Sequence, residues 1–349
     1  MNYYILLPKP IIKPSIVPEY TTMELNPYIS PSVHYYLQDI KHQINKLKCE
    51  THKVYNSEYI FNLINPYDFI FCELENEHYV SLLKTKTLLY YTFLEVDSIL
   101  NIMNTFYNTH INILLDTNEN DALKIYIQTI KKEKNNTYYE ESIQISDDLN
   151  EIEHKEDYVN KMNLMVYEIT ENTCDDIKKY IKTLLHITYN IVNYQAPGGI
   201  CVIKLTQLYY KPVLDIIYLI SSFFGKTYVC KPHISYQEER YIVFEQYLNN
   251  HNDRSKSILI NHISELTKSN RQIKSIIPNH IPNYVLNKIE DSNIIIGYHS
   301  LDHYNELINI CKSKNIIERI DAFKKNSISK SIQWCSTHNI PYNKDIIIK

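Results

Sequence analysis

Ala196-Pro197-Gly198-Gly199-Ile200-Cys201-Val202-Ile203-Lys204 is the stretch on which the fold turns, because it joins a tight turn to a short apolar run that ends in a lysine. Proline followed by two glycines favours a sharp change of direction, and Ile200 to Lys204 then reads as a buried strand. The chain holds only 4 glycines, and none precedes Gly198. A nucleotide-type cofactor turn in an open α/β sheet uses glycines after its first strand, where only a residue without Cβ lets the backbone approach the ligand. The first half of this chain therefore predicts a sheet whose glycine-rich cofactor loop is missing.

Outward from that strand the pattern alternates. Leu164-Met165-Val166-Tyr167-Glu168 reads as a strand, and Asp175 to Asn193 as a helix with apolar Ile177, Ile181, Leu184, Leu185 and Ile187 on one side. Together with the strand at 200–204 they form a βαβ unit. Val213 to Phe224 follows as an apolar helix closed near Gly225. Thr227 to Pro232 and Arg240 to Phe244 then read as two strands, a hairpin-like end to a mixed sheet. Upstream, Ile111 to Leu115 is a short buried strand ending at Asp116, with helices expected over His34 to Lys48 and Tyr79 to Asn104. The fold class predicted is α/β, with a Rossmann-like sheet.

The ends differ in character. Residues 1–49 are a proline-rich arm and helix, since Pro8, Pro10, Pro14, Pro18, Pro27 and Pro31 interrupt short apolar phrases. Residues 50–250 carry the sheet, with an acidic, solvated segment at about 131–160 that reads as a mobile connection. Residues 251–349 predict a helical extension over Ser255 to Ser275, Asp302 to Asn326 and Ser329 to His338, in which Trp334 is a core anchor and Pro341 stops the last helix.

Composition narrows the function classes. With 349 residues and 44% apolar content the chain can bury a sizeable core, and a net charge of −4 gives no global attraction to nucleic acid. The 7 cysteines are scattered without a C-x-x-C pair, which predicts reduced thiols and an intracellular, cytoplasmic site. Cys335 and His338 have the spacing of two metal ligands on one helix face but lack a second pair, so a packed helix end is expected there and no metal. No apolar run is long enough to predict a membrane span.

The stretch from Gly198 to Phe244 resembles the C-terminal half of the FtsJ-like RNA 2′-O-methyltransferases, in particular those carried by large DNA viruses. The resemblance rests on Gly198-Gly199, Lys204, Phe223-Phe224, Lys231-Pro232-His233-Ile234-Ser235-Tyr236 and Glu238-Glu239-Arg240-Tyr241-Ile242-Val243. Asn65-Pro66-Tyr67-Asp68-Phe69-Ile70, Tyr90 to Val96 and Ile332 to Pro341 resemble three further phrases of those viral homologues. The likeness implies a Rossmann-like methyltransferase sheet with a helical C-terminal extension. It also implies a Lys-Asp-Lys-Glu tetrad that deprotonates a ribose hydroxyl for attack on the methyl group of S-adenosylmethionine.

Carried over position by position, the second lysine falls on Lys204 and the glutamate on Glu239. The aspartate position holds Glu168, one methylene longer, and the first lysine position holds Thr92, which supplies no cation. The family's glycine loop matches Asp116-Thr117-Asn118-Glu119-Asn120-Asp121, where every glycine is replaced and carboxylates have entered; Cys72 to Asn76 is an alternative position for it, no richer in glycine. The resemblance thus implies a degenerate, non-catalytic homologue, a pseudoenzyme with no cofactor, working as a structural or regulatory partner. Its partner would be a protein of the mRNA-capping or transcription machinery, or virion components, located in a virus factory or virion.

Two alternatives stand beside it. One is an active S-adenosylmethionine-dependent cap 2′-O-methyltransferase with Lys204, Glu239 and Glu168 as catalytic residues. The other is an RNA-binding module using a basic strip through Lys231 and Arg240, with Lys204, Lys211 and Lys226. Each residue also has a plain structural reading: a strand-end lysine reaching solvent for Lys204, and an exposed charged pair for Glu239 and Arg240.

Overall fold

A computed structural model describes residues 3–10, 14–51, 65–71, 79–83, 87–106, 111–133, 139–141, 158–169, 176–235, 238–248, 253–278 and 280–343. In chain order the elements are β1 (Tyr3–Leu7), β2 (Glu19–Thr21), α1 (Pro31–Thr51), α2 (Leu88–Leu100), β3 (Asn112–Asp116), α3 (Asn120–Glu133), β4 (Tyr139–Glu141), β5 (Met162–Glu168) and α4 (Ile177–Tyr194). They continue with β6 (Gln195–Leu205), α5 (Lys211–Ser221), β7 (Phe224–Lys231), β8 (Arg240–Tyr247), α6 (Asp253–Lys268), β9 (Gln272–Ser275), α7 (Asn283–Cys311) and α8 (Ile316–Thr337).

Seven strands form one sheet in the order β1-β7-β8-β6-β5-β3-β4, with β4, β3, β5 and β6 parallel to one another. β8 runs antiparallel to both β6 and β7, and β1 antiparallel to β7, so the sheet is mixed and Rossmann-like. The central strands read as nearly continuous apolar runs because helices cover both faces. Ile113, Leu115, Leu164, Val166, Ile200 and Val202 belong to a core shared with α2, α3 and α8. Leu114, Met165, Tyr167, Cys201 and Ile203 belong to a second core under α4, α5 and α6. Strand alternation thus sorts neighbouring residues into two oil layers.

Local chemistry explains the crossover helices. Asp176 caps α4, its carboxylate accepting from the backbone N–H of Lys178 at 2.9 Å and of Lys179 at 3.2 Å. Pro212 sits in the first turn of α5, where its missing N–H costs nothing.

The glycine pair works differently from the expected turn before a strand. Ala196 to Gly199 lie inside β6, where the pairing slips from Met162–Gln195 to Leu164–Ile200, so the strand bulges outward. Gly198 takes φ +75°, and a Cβ on Gly199 would lie 2.8 Å from the Ala196 carbonyl and 2.9 Å from that of Asn163. The Gln195 amide closes the bulge by donating to the Met162 carbonyl at 2.9 Å.

Other boundaries move as well. Gly225 does not end α5; it lies in β7, and Ser222 caps the helix. The helix expected over Tyr79 to Asn104 spans only Leu88–Leu100, stopping where Asn101 turns left-handed with φ 55°. The stretch to Ser275 is α6 followed by strand β9, and the two C-terminal helices divide at 312–315 rather than 327–328. Of the acidic segment, the end of α3 and β4 are described; 134–138 and 142–157 lie outside the described residues, as does the alternative loop at 72–76.

The arm and the extension are knit into the sheet and to each other. β1 forms the sheet edge, β2 pairs antiparallel with β9, and α1 packs on α7. The crossing of α1 and α7 depends on Gly297, where an added Cβ would run into the Val33 side chain, itself only 5% exposed. A valine in a packed helix has little rotamer freedom to move aside. Gly297→Ala is therefore expected to lose about 1–3 kcal/mol by overpacking, read as a lower urea midpoint at unchanged slope.

Candidate functional site

In an open α/β sheet the crevice forms outside the carboxyl ends of the strands where the winding reverses. Here the chain leaves β3 for β4 on one side and returns to β5 and β6 on the other, so that point lies between β3 and β5. Glu168 ends β5 and Lys204 stands opposite it near the end of β6. Lys204 is in turn paired with Tyr241 of the antiparallel β8, and Glu239 enters β8 from the same edge.

This register brings together the three residues singled out for catalysis. The Lys204 ammonium lies 2.8 Å from a Glu168 carboxylate oxygen and 3.0 Å from Glu239, with side-chain exposures of only 10%, 10% and 12% for Lys204, Glu168 and Glu239. Burial opposes the Lys204 charge, but its neighbours Tyr241, Glu239 and Glu168 outweigh that and raise its pKa above the ordinary lysine value. Because burial also raises the Tyr241 phenol, which stays protonated near neutrality, the two carboxylates are what hold the ammonium. Lys204 is a fixed cation and not a strand-end lysine reaching solvent.

Thr92, which the resemblance set at the first lysine position, joins the same cluster. It is fully buried on α2, and its hydroxyl is 2.6 Å from the Tyr241 phenol oxygen while also donating to the Leu89 carbonyl at 3.2 Å. The Thr92 hydroxyl brings no charge to the cluster.

The loop after β3 is pinned shut by its own side chains. The Asn120 side-chain oxygen accepts from the Thr117 backbone N–H at 2.9 Å and from its hydroxyl at 2.8 Å, making a tight strand-to-helix turn without glycine. The second carboxylate oxygen of Glu168 accepts from the Asn118 backbone N–H at 3.0 Å. Glu119 accepts from the Leu89 N–H at the start of α2, at 3.2 Å, which ties the loop to that helix. A carboxylate side chain thus satisfies one of the open N–H groups at the amino end of α2.

Lys231 and Arg240 do not form a surface strip. Lys231 is 3% exposed and donates to the Ser235 carbonyl at 2.8 Å and hydroxyl at 2.6 Å. Burial pushes its pKa down to about 7. Arg240 is 0% exposed and donates to the Asn293 side chain at 2.6 Å, with Asn293 donating onward to the Leu208 carbonyl at 2.9 Å. Lys211 is spent on buried Asp215, and Lys226 stands exposed on β7. The expected exposed pair is also absent: Arg240 is internal, and Glu239 turns to Lys204.

Glu95 is the residue that sequence reading passed over. It is completely buried and accepts from the His233 N–H at 2.8 Å, the His233 imidazole at 3.1 Å, the Ile234 N–H at 3.4 Å and the Trp334 indole N–H at 2.9 Å. Burial opposes its charge, yet the bonds from His233 and Trp334 prevail and lower its pKa. The available signal was one carboxylate between Leu94 and Val96 in an apolar helix. Around it the separate phrases meet: the Asn65 side chain donates to the Ile234 carbonyl at 2.7 Å, and Ser331 donates to the Pro66 carbonyl at 3.2 Å.

Cys335 is buried in the core, as are Cys201, Cys230 and Cys311, and these four thiols are free. Among the described residues no group of three or more His, Cys, Asp or Glu side chains is arranged to hold a metal ion, and no helix is long and apolar enough to cross a membrane. No protein-family model matches this chain, and no curated protein matches it.

Proposed function

We propose that this chain is a degenerate homologue of the FtsJ-like 2′-O-methyltransferases, non-catalytic, which serves as a structural or regulatory partner of a capping, transcription or virion assembly. The observation that carries the reading is the closed charge network of Glu168, Lys204 and Glu239. A base for a ribose hydroxyl works best with a pKa near the operating pH, whereas a lysine clamped by two carboxylates stays protonated. Threonine at position 92 adds no ammonium against that clamp.

The loop supports the same conclusion. Glu168, whose counterpart in the family's tetrad orients a lysine, here also holds down the Asn118 amide, so the site's carboxylate is spent on closing the cofactor turn. S-adenosylmethionine carries its own carboxylate, and Glu119 repels it at that helix end.

Calorimetric titration of the folded protein with S-adenosylmethionine and S-adenosylhomocysteine is expected to give no heat with either. Micromolar binding of either ligand would sink the scaffold reading, since this loop would then have to open and release Glu168.

A further inference from the structure

The two edges of the seven-stranded sheet differ in chemistry. β4, at one end of the strand order, spans only Tyr139–Glu141 and ends in two carboxylates, the short and charged form in which exposed edges are protected from further pairing. β1, at the other end, is Tyr3-Tyr4-Ile5-Leu6-Leu7, with no charge, no proline and no slip in its register with β7. Pro8, Lys9 and Pro10 come only after it.

The ladder of β1 runs on one side only. Tyr3 to Leu7 face Lys231 to Thr227 of β7, and among the described residues no other backbone or side-chain group hydrogen-bonds the outer edge. Main-chain N–H and C=O groups that do not point to one neighbouring strand point to the opposite side, so β1 presents open donors and acceptors at strand spacing. Its two faces differ as well. Ile5 and Leu7 pack into the core that α7 covers, whereas Tyr4 and Leu6 are 58% and 51% exposed on the other face, where Leu6 stands beside Tyr228 of β7.

We infer that β1 is the contact through which two copies of this chain associate, pairing antiparallel and edge to edge across a two-fold axis at Ile5. An open row of main-chain groups is matched by another extended strand, and a neutral strand is complementary to its own antiparallel copy because no like charges meet. In that register Tyr4 of each copy stands opposite Leu6 of the other on the same face, so both exposed side chains gain an apolar neighbour. The two sheets become continuous through the pair, and the short, charged β4 edges at the far ends do not favour further growth. Five residues make a ladder only about 17 Å long, well short of a standard interface, so the expected affinity is micromolar.

Sedimentation velocity of the full chain at roughly 1–100 µM tests this. Wild type is expected to shift from monomer to dimer across that range, and Tyr4→Lys/Leu6→Lys, which sets lysine opposite lysine, to associate at least about tenfold more weakly. Both positions are exposed, so the variant should keep the wild-type urea midpoint. Mixing it with Tyr4→Glu/Leu6→Glu should restore a dimer containing one copy of each, a recovery that association through another surface would not give. A wild type that stays monomeric at the top of the range, or a dimer indifferent to the two lysines, overturns the inference; the edge then falls to a strand of a different protein. Lys204 lies on β6, with β7 and β8 between it and β1, so neither result bears on S-adenosylmethionine binding, and this inference and the scaffold reading fail separately.

Discussion

Glu95→Ala is expected to destabilise the protein by about 3–5 kcal/mol, among the largest single losses available in this fold. The carboxylate receives donors from two backbone amides, an imidazole and an indole, drawn from the β7–β8 connection and α8. Removing it leaves the Ile234 N–H and the Trp334 indole N–H buried without an acceptor, each at a cost of about 1–3 kcal/mol, while the half-buried His233 keeps access to water. Urea unfolding at neutral pH, followed by the fluorescence of Trp334, reads the loss; a change under about 0.5 kcal/mol would mean that the cluster relaxes freely and Glu95 is incidental.

The same residue fixes the direction of an acid effect. Its folded pKa lies below the ordinary value, so the folded state binds its proton less readily than the unfolded chain. Its stabilisation is then fully present above the unfolded carboxylate pKa of about 4.3 and is lost as pH falls through the lower folded value. Glu95→Gln keeps the volume without the charge. The gap between wild type and Glu95→Gln should be widest at neutral pH and close on acidification below about pH 4.

Periodicity exposed the sheet because the central strands are buried on both faces, and such runs announce themselves: 111–115, 164–168, 200–204 and 240–244 each fall within an observed strand or overlap it by all but one residue. Short edge elements were hidden. β1, β2 and β9 are stabilised by partners far away in sequence, and Tyr3 to Leu7 becomes a strand only because β7 offers an edge. Gly198-Gly199 looked like a turn because a bulge and a turn ask the same thing of a residue, a positive φ or a missing Cβ.

The site was legible in part for a similar reason. Lys204, Glu168 and Glu239 end or begin strands, so strand order alone brings them to one edge. Lys231 and Arg240 were misjudged as surface cations because sequence gives no measure of the cover supplied by α1 and α7. Both belong to segments whose helical lid comes from the chain's two ends, where Lys41 of α1 reaches Glu238 and Asn293 of α7 reaches Arg240. Nothing local in Lys-Pro-His-Ile or Glu-Glu-Arg-Tyr announces that lid.

Lys204→Met is the second large expected effect, and it separates a retained structural network from a working centre. Removing the ammonium leaves Glu168 and Glu239 facing one another at 10% and 12% exposure, with a predicted loss of about 3–5 kcal/mol. Adding Glu168→Gln and Glu239→Gln to that variant removes both stranded charges, and the side-chain amide then present at position 168 still offers an oxygen to the Asn118 N–H. The triple variant should therefore regain most of the stability, so that the single changes are far from additive. That recovery is what a network kept for the fold would give: the charges matter to each other and not to a substrate. If Lys204→Met instead costs under about 1 kcal/mol, the lysine is not holding the carboxylates together, and its geometry must be explained by something it was kept to bind. A triple variant no more stable than Lys204→Met would point the same way, because the loss would then lie in contacts made by the lysine stem along β6 and not in the stranded charge.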